Sequence, residues 1–172
     1  STIILWSLAR GAATSVLRFH QGAVNAVTVL PDGRVASAGE DGRIALWRGG
    51  ASRPGTGLSG GAGPVSALAI SADGRRLASA AWDGTARLWP LAGGTAQVLD
   101  DHRANVNGVG FLSTGEIVTA AYDGQLRIFR ADGTLRTTVR TEAPLARLRI
   151  APDDEIVVAG ADGALRFFGP DG

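Results

Sequence analysis

Apolar residues fall along the chain in short runs separated by polar and glycine-rich breaks. In the first full unit the runs are 24–30, 34–38 and 43–47, each of strand length, with residues alternating between two faces. No segment carries helical periodicity over several turns. The breaks hold turn chemistry. Asp-Gly pairs stand at Asp41-Gly42, Asp83-Gly84, Asp123-Gly124 and Asp162-Gly163, with spacings of 42, 40 and 39 residues. Glycine accepts positive φ and aspartate bonds its own nearby backbone, so each pair predicts a tight hairpin. A second turn marker precedes each pair: Pro31-Asp32-Gly33, Ala72-Asp73-Gly74, Ser113-Thr114-Gly115 and Pro152-Asp153-Asp154. Five residues after each Asp-Gly glycine comes an aromatic: Trp47, Trp89, Phe129 and Phe168. Ala36 and Ala38 flank Ser37, and Ala78 and Ala80 flank Ser79, which suits sheets stacked closely face to face.

Four such units in phase at about forty residues form an internal repeat. The residues Phe19-His20-Gln21-Gly22-Ala23-Val24, then Pro31-Asp32-Gly33, Ala36-Ser37-Ala38-Gly39-Glu40-Asp41-Gly42 and Ile44-Ala45-Leu46-Trp47, resemble a WD40 repeat from end to end. The resemblance implies an all-β fold, a β-propeller of four-stranded antiparallel blades arranged radially around a channel. The whole of 1–172 is read as one repeat region: 1–19 closes a preceding blade, 20–60, 61–101 and 102–140 are repeats, and 141–168 is a partial fourth. The strands read from the sequence number seventeen, two of them (2–6 and 15–19) before the first repeat and three after the third. Four-stranded blades do not account for that number, so a segment of a larger propeller is expected, with a short ring or an assembly of two copies as the alternative. The Gly/Pro-rich stretch 49–64 is expected to be a loose outer strand with long loops.

The resemblance also implies a hydrogen-bonded tetrad in each blade: a histidine, a hydroxyl, the turn aspartate and a tryptophan. Carried over, these are His20, Ser37, Asp41 and Trp47 in the first repeat. The second has Ser79, Asp83 and Trp89, with Gly61 in the histidine position; the third has His102, Thr119 and Asp123, with Phe129 in place of tryptophan. The fourth keeps only Asp162, beside Thr141, Val158 and Phe168.

Composition narrows the function. Apolar residues make up 45% of the chain and charged residues 19%, a globular composition. Net charge is +1, with both signs spread evenly, so no field favours nucleic acid or an anionic membrane. All 17 basic residues are arginine, which with abundant alanine and glycine points to a GC-rich, bacterial coding sequence. No run is long enough to span a bilayer, and no signal peptide is visible. A soluble segment is expected, cytoplasmic in preference to periplasmic, and the lack of methionine implies residues upstream. With no cysteine, disulfides, thiolate metal sites and covalent haem attachment are excluded within these residues.

No catalytic constellation is legible, and no cofactor or metal is expected. Both histidines occupy tetrad positions, and the turn aspartates lack calcium-loop spacing. Ser37, Ser79 and Thr119 lie mid-strand and not at a nucleophile elbow. Gly60-Gly61-Ala62-Gly63 lacks the lysine and hydroxyl of a phosphate loop. Arg87, Arg127 and Arg166, each three residues after a turn glycine, are expected as a solvated row. The positions that such propellers use to grip partners are Glu40, Trp82 and Tyr122 before the turn aspartates, and Asn25, Ser66, Asn105 and Asn107 beside the inner strands. The expected function is therefore a non-catalytic scaffold that binds a protein or peptide on its top face. The alternative is an accessory or regulatory propeller of a larger bacterial enzyme or electron-transfer protein.

Overall fold

The structure, a computed structural model, describes residues 2–48, 54–59, 61–99 and 102–172. These form seventeen β-strands and, among the described residues, no helix. The strands fall into five antiparallel sheets in chain order. The first pairs β1 (Thr2–Ser7) with β2 (Ala12–Arg18). Sheet two contains β3 (Val24–Val29), β4 (Val35–Gly39), β5 (Arg43–Trp47) and β6 (Thr56–Ser59). Sheet three contains β7 (Val65–Ile70), β8 (Arg76–Ala81), β9 (Ala86–Pro90) and β10 (Gln97–Leu99). Sheet four contains β11 (Val106–Phe111), β12 (Ile117–Ala121), β13 (Gln125–Phe129) and β14 (Leu135–Arg140). The last has β15 (Leu145–Ile150), β16 (Ile156–Gly160) and β17 (Leu165–Phe168). The strands match the sequence expectation, except that β2 begins at Ala12 and not at residue 15. Gly11 turns the chain at φ 58°, so Ala12 and Ala13 reach Ser7 and Trp6 across the ladder. Residues 49–53 and Gly60 of the expected linker lie outside the described residues.

Each of the three middle sheets gives one face to its predecessor and the other to its successor, the consequence of a side-chain period of two. Ala36, Ala38, Ile44 and Leu46 pack on Leu77 and Trp89 of the next sheet. Ala78, Ala80, Ala86 and Leu88 pack on Ile117 and Phe129, and Val118, Ala120, Leu126 and Ile128 on Leu148, Ile156 and Val158. The alanines bring the sheets close. On the inner strands the same is done by Gly108, where an added Cβ would lie 2.5 Å from Leu148 Cβ, and by Gly110, where it would lie 2.6 Å from Ile150 Cγ1. The four inner strands β3, β7, β11 and β15 consequently stand side by side and wall a central channel.

The arc is open. β1 and β2 pair with no strand of the last sheet. The first sheet has no inner strands to cover β3, so Val27 is 50% exposed, whereas Val109 in the same register of β11 is 5% exposed. Ile4 and Trp6 at one end of the arc, and Leu165 and Phe167 at the other, are exposed as well.

Candidate functional site: the face carrying the turn aspartates

Each Asp-Gly pair closes a turn between the second and third strands of its sheet. The aspartate accepts the amide two residues on: Arg43 N–H to Asp41 at 3.1 Å, Thr85 to Asp83 at 3.1 Å, Gln125 to Asp123 at 3.0 Å and Ala164 to Asp162 at 3.2 Å. The glycines that follow have φ of 70°, 85°, 73° and 82°, a conformation that costs glycine little. In three sheets the same carboxylate also accepts an amide from the loop before the inner strand, at Gln21, Ala62 and Arg103. The aspartate thus ties two loops of one face together.

Behind this face lie the expected tetrad residues. His20 Nδ1 is 3.0 Å from Asp41, His20 Nε2 is 2.8 Å from Ser37 Oγ, and Trp47 Nε1–H donates to Ser37 Oγ at 2.9 Å. Since a carboxylate only accepts, His20 donates from Nδ1, and Nε2 accepts the Ser37 hydroxyl proton. Every group is then satisfied, in a chain from indole through hydroxyl and imidazole to carboxylate. Burial alone would raise the Asp41 carboxyl, but the His20 imidazole and the amides of Gln21 and Arg43 hold it below the ordinary range. His102 repeats the arrangement with Asp123 at 3.1 Å and Thr119 at 2.7 Å, and Trp89 donates to Ser79 at 2.9 Å.

The arginines correct the sequence expectation of a solvated row. Arg87 lies opposite Ser79 and Arg166 opposite Val158 across their ladders, so both share the face of the tetrad positions. Arg87 Nη1 and Nη2 each donate to Asp83 Oδ2 at 3.2 Å, and Nη1 also donates to Thr85 Oγ1 at 2.6 Å. The guanidinium fills the histidine's place: a Cβ on Gly61 would lie 2.4 Å from Arg87 Nη1. Burial would raise the Asp83 carboxyl, yet the Thr85 hydroxyl, the amides of Ala62 and Thr85, and the Arg87 charge bring it down. Arg166 does the same for Asp162, whose carboxyl it lowers to about 2, and donates to it at 3.1 Å. Sheets without the histidine therefore use arginine. Arg127, in the sheet that keeps His102, is buried and among the described residues bonds only Gln125, through Nη2, with Nε and Nη1 finding no partner there.

Each inner strand is bulged one residue after its start. The ladder skips Asn25, Ser66, Asn107 and Ala146. A bulge leaves its extra residue unpaired and re-aims its side chain. Asn25 donates to Val65 O at 3.2 Å, Ser66 to Val106 O at 2.6 Å and Asn107 to Leu145 O at 3.0 Å. Each donor therefore staples its sheet to the inner strand of the next. Ser66 is buried, with its hydroxyl spent on this staple, and Ala146 has no donor to offer.

The residues before the turn aspartates point outward from a pinned backbone. Trp82 N–H donates to Pro64 O at 2.9 Å and Tyr122 N–H to Asn105 O at 2.8 Å. Trp82 and Tyr122 are 49% and 53% exposed. They line one groove of about 420 Å³ with Asn105, Asn107, Ala146 and Arg147. Glu40 lies outside that groove, and its Oε2 accepts Ala23 N–H at 2.9 Å. Both ring nitrogens of each histidine are engaged, so neither is available to a substrate. Among the described residues no three carboxylate or imidazole groups gather as a metal site, and no helix is long and apolar enough to cross a membrane.

The family model described as "WD domain, G-beta repeat" matches residues 11–48, 53–90 and 93–130. Periodic tryptophan protein 2 of Saccharomyces cerevisiae is 33% identical over 112 residues, which cover 63% of this chain and 12% of the relative. WD repeat-containing protein 1 of Xenopus tropicalis is 41% identical over 81 residues, 45% of this chain and 13% of the relative. The target of rapamycin complex subunit wat1 of Schizosaccharomyces pombe is 25% identical over 129 residues, 73% of this chain and 41% of the relative. The chain therefore spans well under half the length of these curated relatives. Among solved structures, the WD40 β-propeller domain of Doa1 superposes with a TM-score of 0.86 at 23% identity, over 98% of this chain and 57% of that one. Each family match runs from the last strand of one sheet through the third strand of the next, and the stacked sheets, turn aspartates and hydroxyl–tryptophan bonds agree with them: the chain belongs to the WD40-repeat family and has its β-propeller fold.

Proposed function

We propose that the chain is a non-catalytic platform that binds a protein or peptide in the groove of Trp82 and Tyr122. The observation that carries this reading is the pair of half-exposed aromatics from successive sheets in one groove, each on a backbone fixed by a hydrogen bond. Large apolar side chains exposed in turns gain most by burial against a partner, and rigid aromatics lose little entropy in doing so. Asn105 and Asn107 border the groove and supply polar contact, with Glu40 as an outlying charge. Asn25 and Ser66 keep the sheets in register through their staples and act on the partner only by holding the platform's shape. No residue is assigned to catalysis, because the histidines and turn aspartates are already committed to one another. The relatives include a subunit of the target of rapamycin complex, and a role within an assembly suits a platform.

The test is affinity capture with wild type, Trp82→Ala/Tyr122→Ala and Arg130→Ala, each checked for folding by circular dichroism. Arg130 sits at the opposite end of β13 from the turn aspartate, on the other face. Specific partners are expected to disappear with the aromatic double variant and to persist with Arg130→Ala. Survival of every partner in the double variant overturns the assignment.

The exposed apolar ends favour a second property, self-association of the 172-residue chain. Trp6 and Phe167 belong to unpartnered sheet faces and gain by meeting other copies.

A further inference from the structure

We infer that the occupant of the aromatic groove is an extended, proline-rich segment in the polyproline II conformation, with prolines three residues apart. This names the partner's chemistry and rests on the groove being the binding site. Trp82 and Tyr122 take equivalent places, each directly before the turn aspartate of its sheet. Sheets three and four both have a neighbour on either face. The exposure of the two rings therefore belongs to the face of the turn aspartates and not to an end of the arc.

Stacked sheets lie about 10 Å apart, so the two rings repeat at about that interval. A polyproline II helix rises about 3.1 Å per residue with about three residues per turn, so the same side of the segment returns about every 9 Å. In a β-strand it returns about every 7 Å, short of the interval. An α-helix comes near it after two turns, about 11 Å, but its backbone is bonded internally and offers nothing to the polar groups of the groove.

Those groups await a partner. The Trp82 indole N–H, the Tyr122 hydroxyl and the Asn105 carboxamide make no hydrogen bond among the described residues. The backbone N–H groups of Trp82 and Tyr122 are already given to Pro64 O and Asn105 O, so they are closed to an added strand. A polyproline II segment fits this set. Its carbonyls have no partner within the segment and can accept from indole, phenol and carboxamide, while proline rings, which bring no N–H, lie on the aromatic faces. Charge complementarity favours the same occupant. Each of the three unbonded groups presents a donor proton, which suits carbonyl oxygens, and no aspartate or glutamate lines the groove to hold a cation on the rings.

The test selects phage-displayed random 12-residue peptides on the folded 172-residue chain and titrates the synthetic winners by fluorescence anisotropy. Expected winners carry Pro-x-x-Pro. Alanine at either proline should weaken binding at least about tenfold, and so should Trp82→Ala or Tyr122→Ala in a chain folded by circular dichroism. Winners that need both aromatics but lack the proline spacing, or that bind as helices, overturn this inference and leave the groove assignment standing. Winners selected for acidic residues or for lysine in place of proline do the same. Winners indifferent to Trp82→Ala/Tyr122→Ala, or no winners, overturn both.

Discussion

Replacing Arg87 by methionine tests whether arginine stands in for the missing histidine. Methionine keeps the aliphatic stem and removes the fork that donates twice to Asp83 and once to Thr85. The Arg87 and Asp83 side chains are 17% and 14% exposed, so the pair is mostly but not fully removed from water. Breaking a fully buried pair costs about 3–5 kcal/mol, and an exposed pair contributes under about 1 kcal/mol. Asp83 would retain the Thr85 hydroxyl and the amides of Ala62 and Thr85. The loss should then be about 2–3 kcal/mol, since hydrogen bonds to charged groups contribute about 1.5–3 kcal/mol. Urea melts of Arg87→Met, Asp83→Asn and the double variant form a cycle, with an expected coupling of about 1.5 kcal/mol. Arg166→Met should lose less, because Asp162 is more exposed than Asp83. Additive single effects within about 0.5 kcal/mol would refute the substitution of arginine for histidine.

Trp47→Phe removes the indole bond to Ser37 and leaves a gap of roughly 40 Å³, which together should cost about 2 kcal/mol in a urea melt. Phe129→Trp should change stability less, because the gained bond to Thr119 offsets crowding; a Trp47→Phe melt equal to wild type would remove the tetrad from the account. Asp41, Asp83 and Asp123 have carboxyls lowered by folding, so the folded state binds fewer protons than the unfolded chain near their ordinary range. Their stabilisation is complete above about pH 5 and is lost as pH falls through 4 towards the folded values, so urea midpoints should drop between pH 5 and 3. Unchanged midpoints there would contradict the signs. Sedimentation velocity should show the 172-residue chain self-associating, and Trp6→Ser/Phe167→Ser should shift it towards monomer; a sharp wild-type monomer peak would remove the end faces as contacts.

The fold was legible because the Asp-Gly turns and their aromatics report local geometry. A glycine at positive φ and an aspartate bonding two residues ahead need only neighbours in sequence, and the structure has both at all four turns. His20, Ser37 and Trp47 were placed by the resemblance to a WD40 repeat, once the turns had set its phase. Arg87 and Arg166 could not, because an arginine on a strand reads as solvated until the ladder places it opposite Ser79 or Val158. The available signal was that repeats two and four lack the histidine, which leaves an aspartate without a cation or donor. Asn25, Ser66 and Asn107 were legible as polar positions on inner strands, but the bulges that aim them at the next sheet are counted only between paired strands. Trp82 and Tyr122 were legible as equivalent turn residues; their common groove depends on how two sheets stack.

Photocrosslinking from the groove tests the platform most directly. Benzoylphenylalanine is placed at Trp82, at Tyr122 and, on the opposite side of the fold, at Leu135, and each protein is irradiated in native lysate. The account requires the same partner to be captured from both groove positions and not from Leu135, with capture lost when the other groove aromatic is changed to alanine. Equal capture from Leu135, or capture from the groove that is indifferent to the second aromatic, would contradict it.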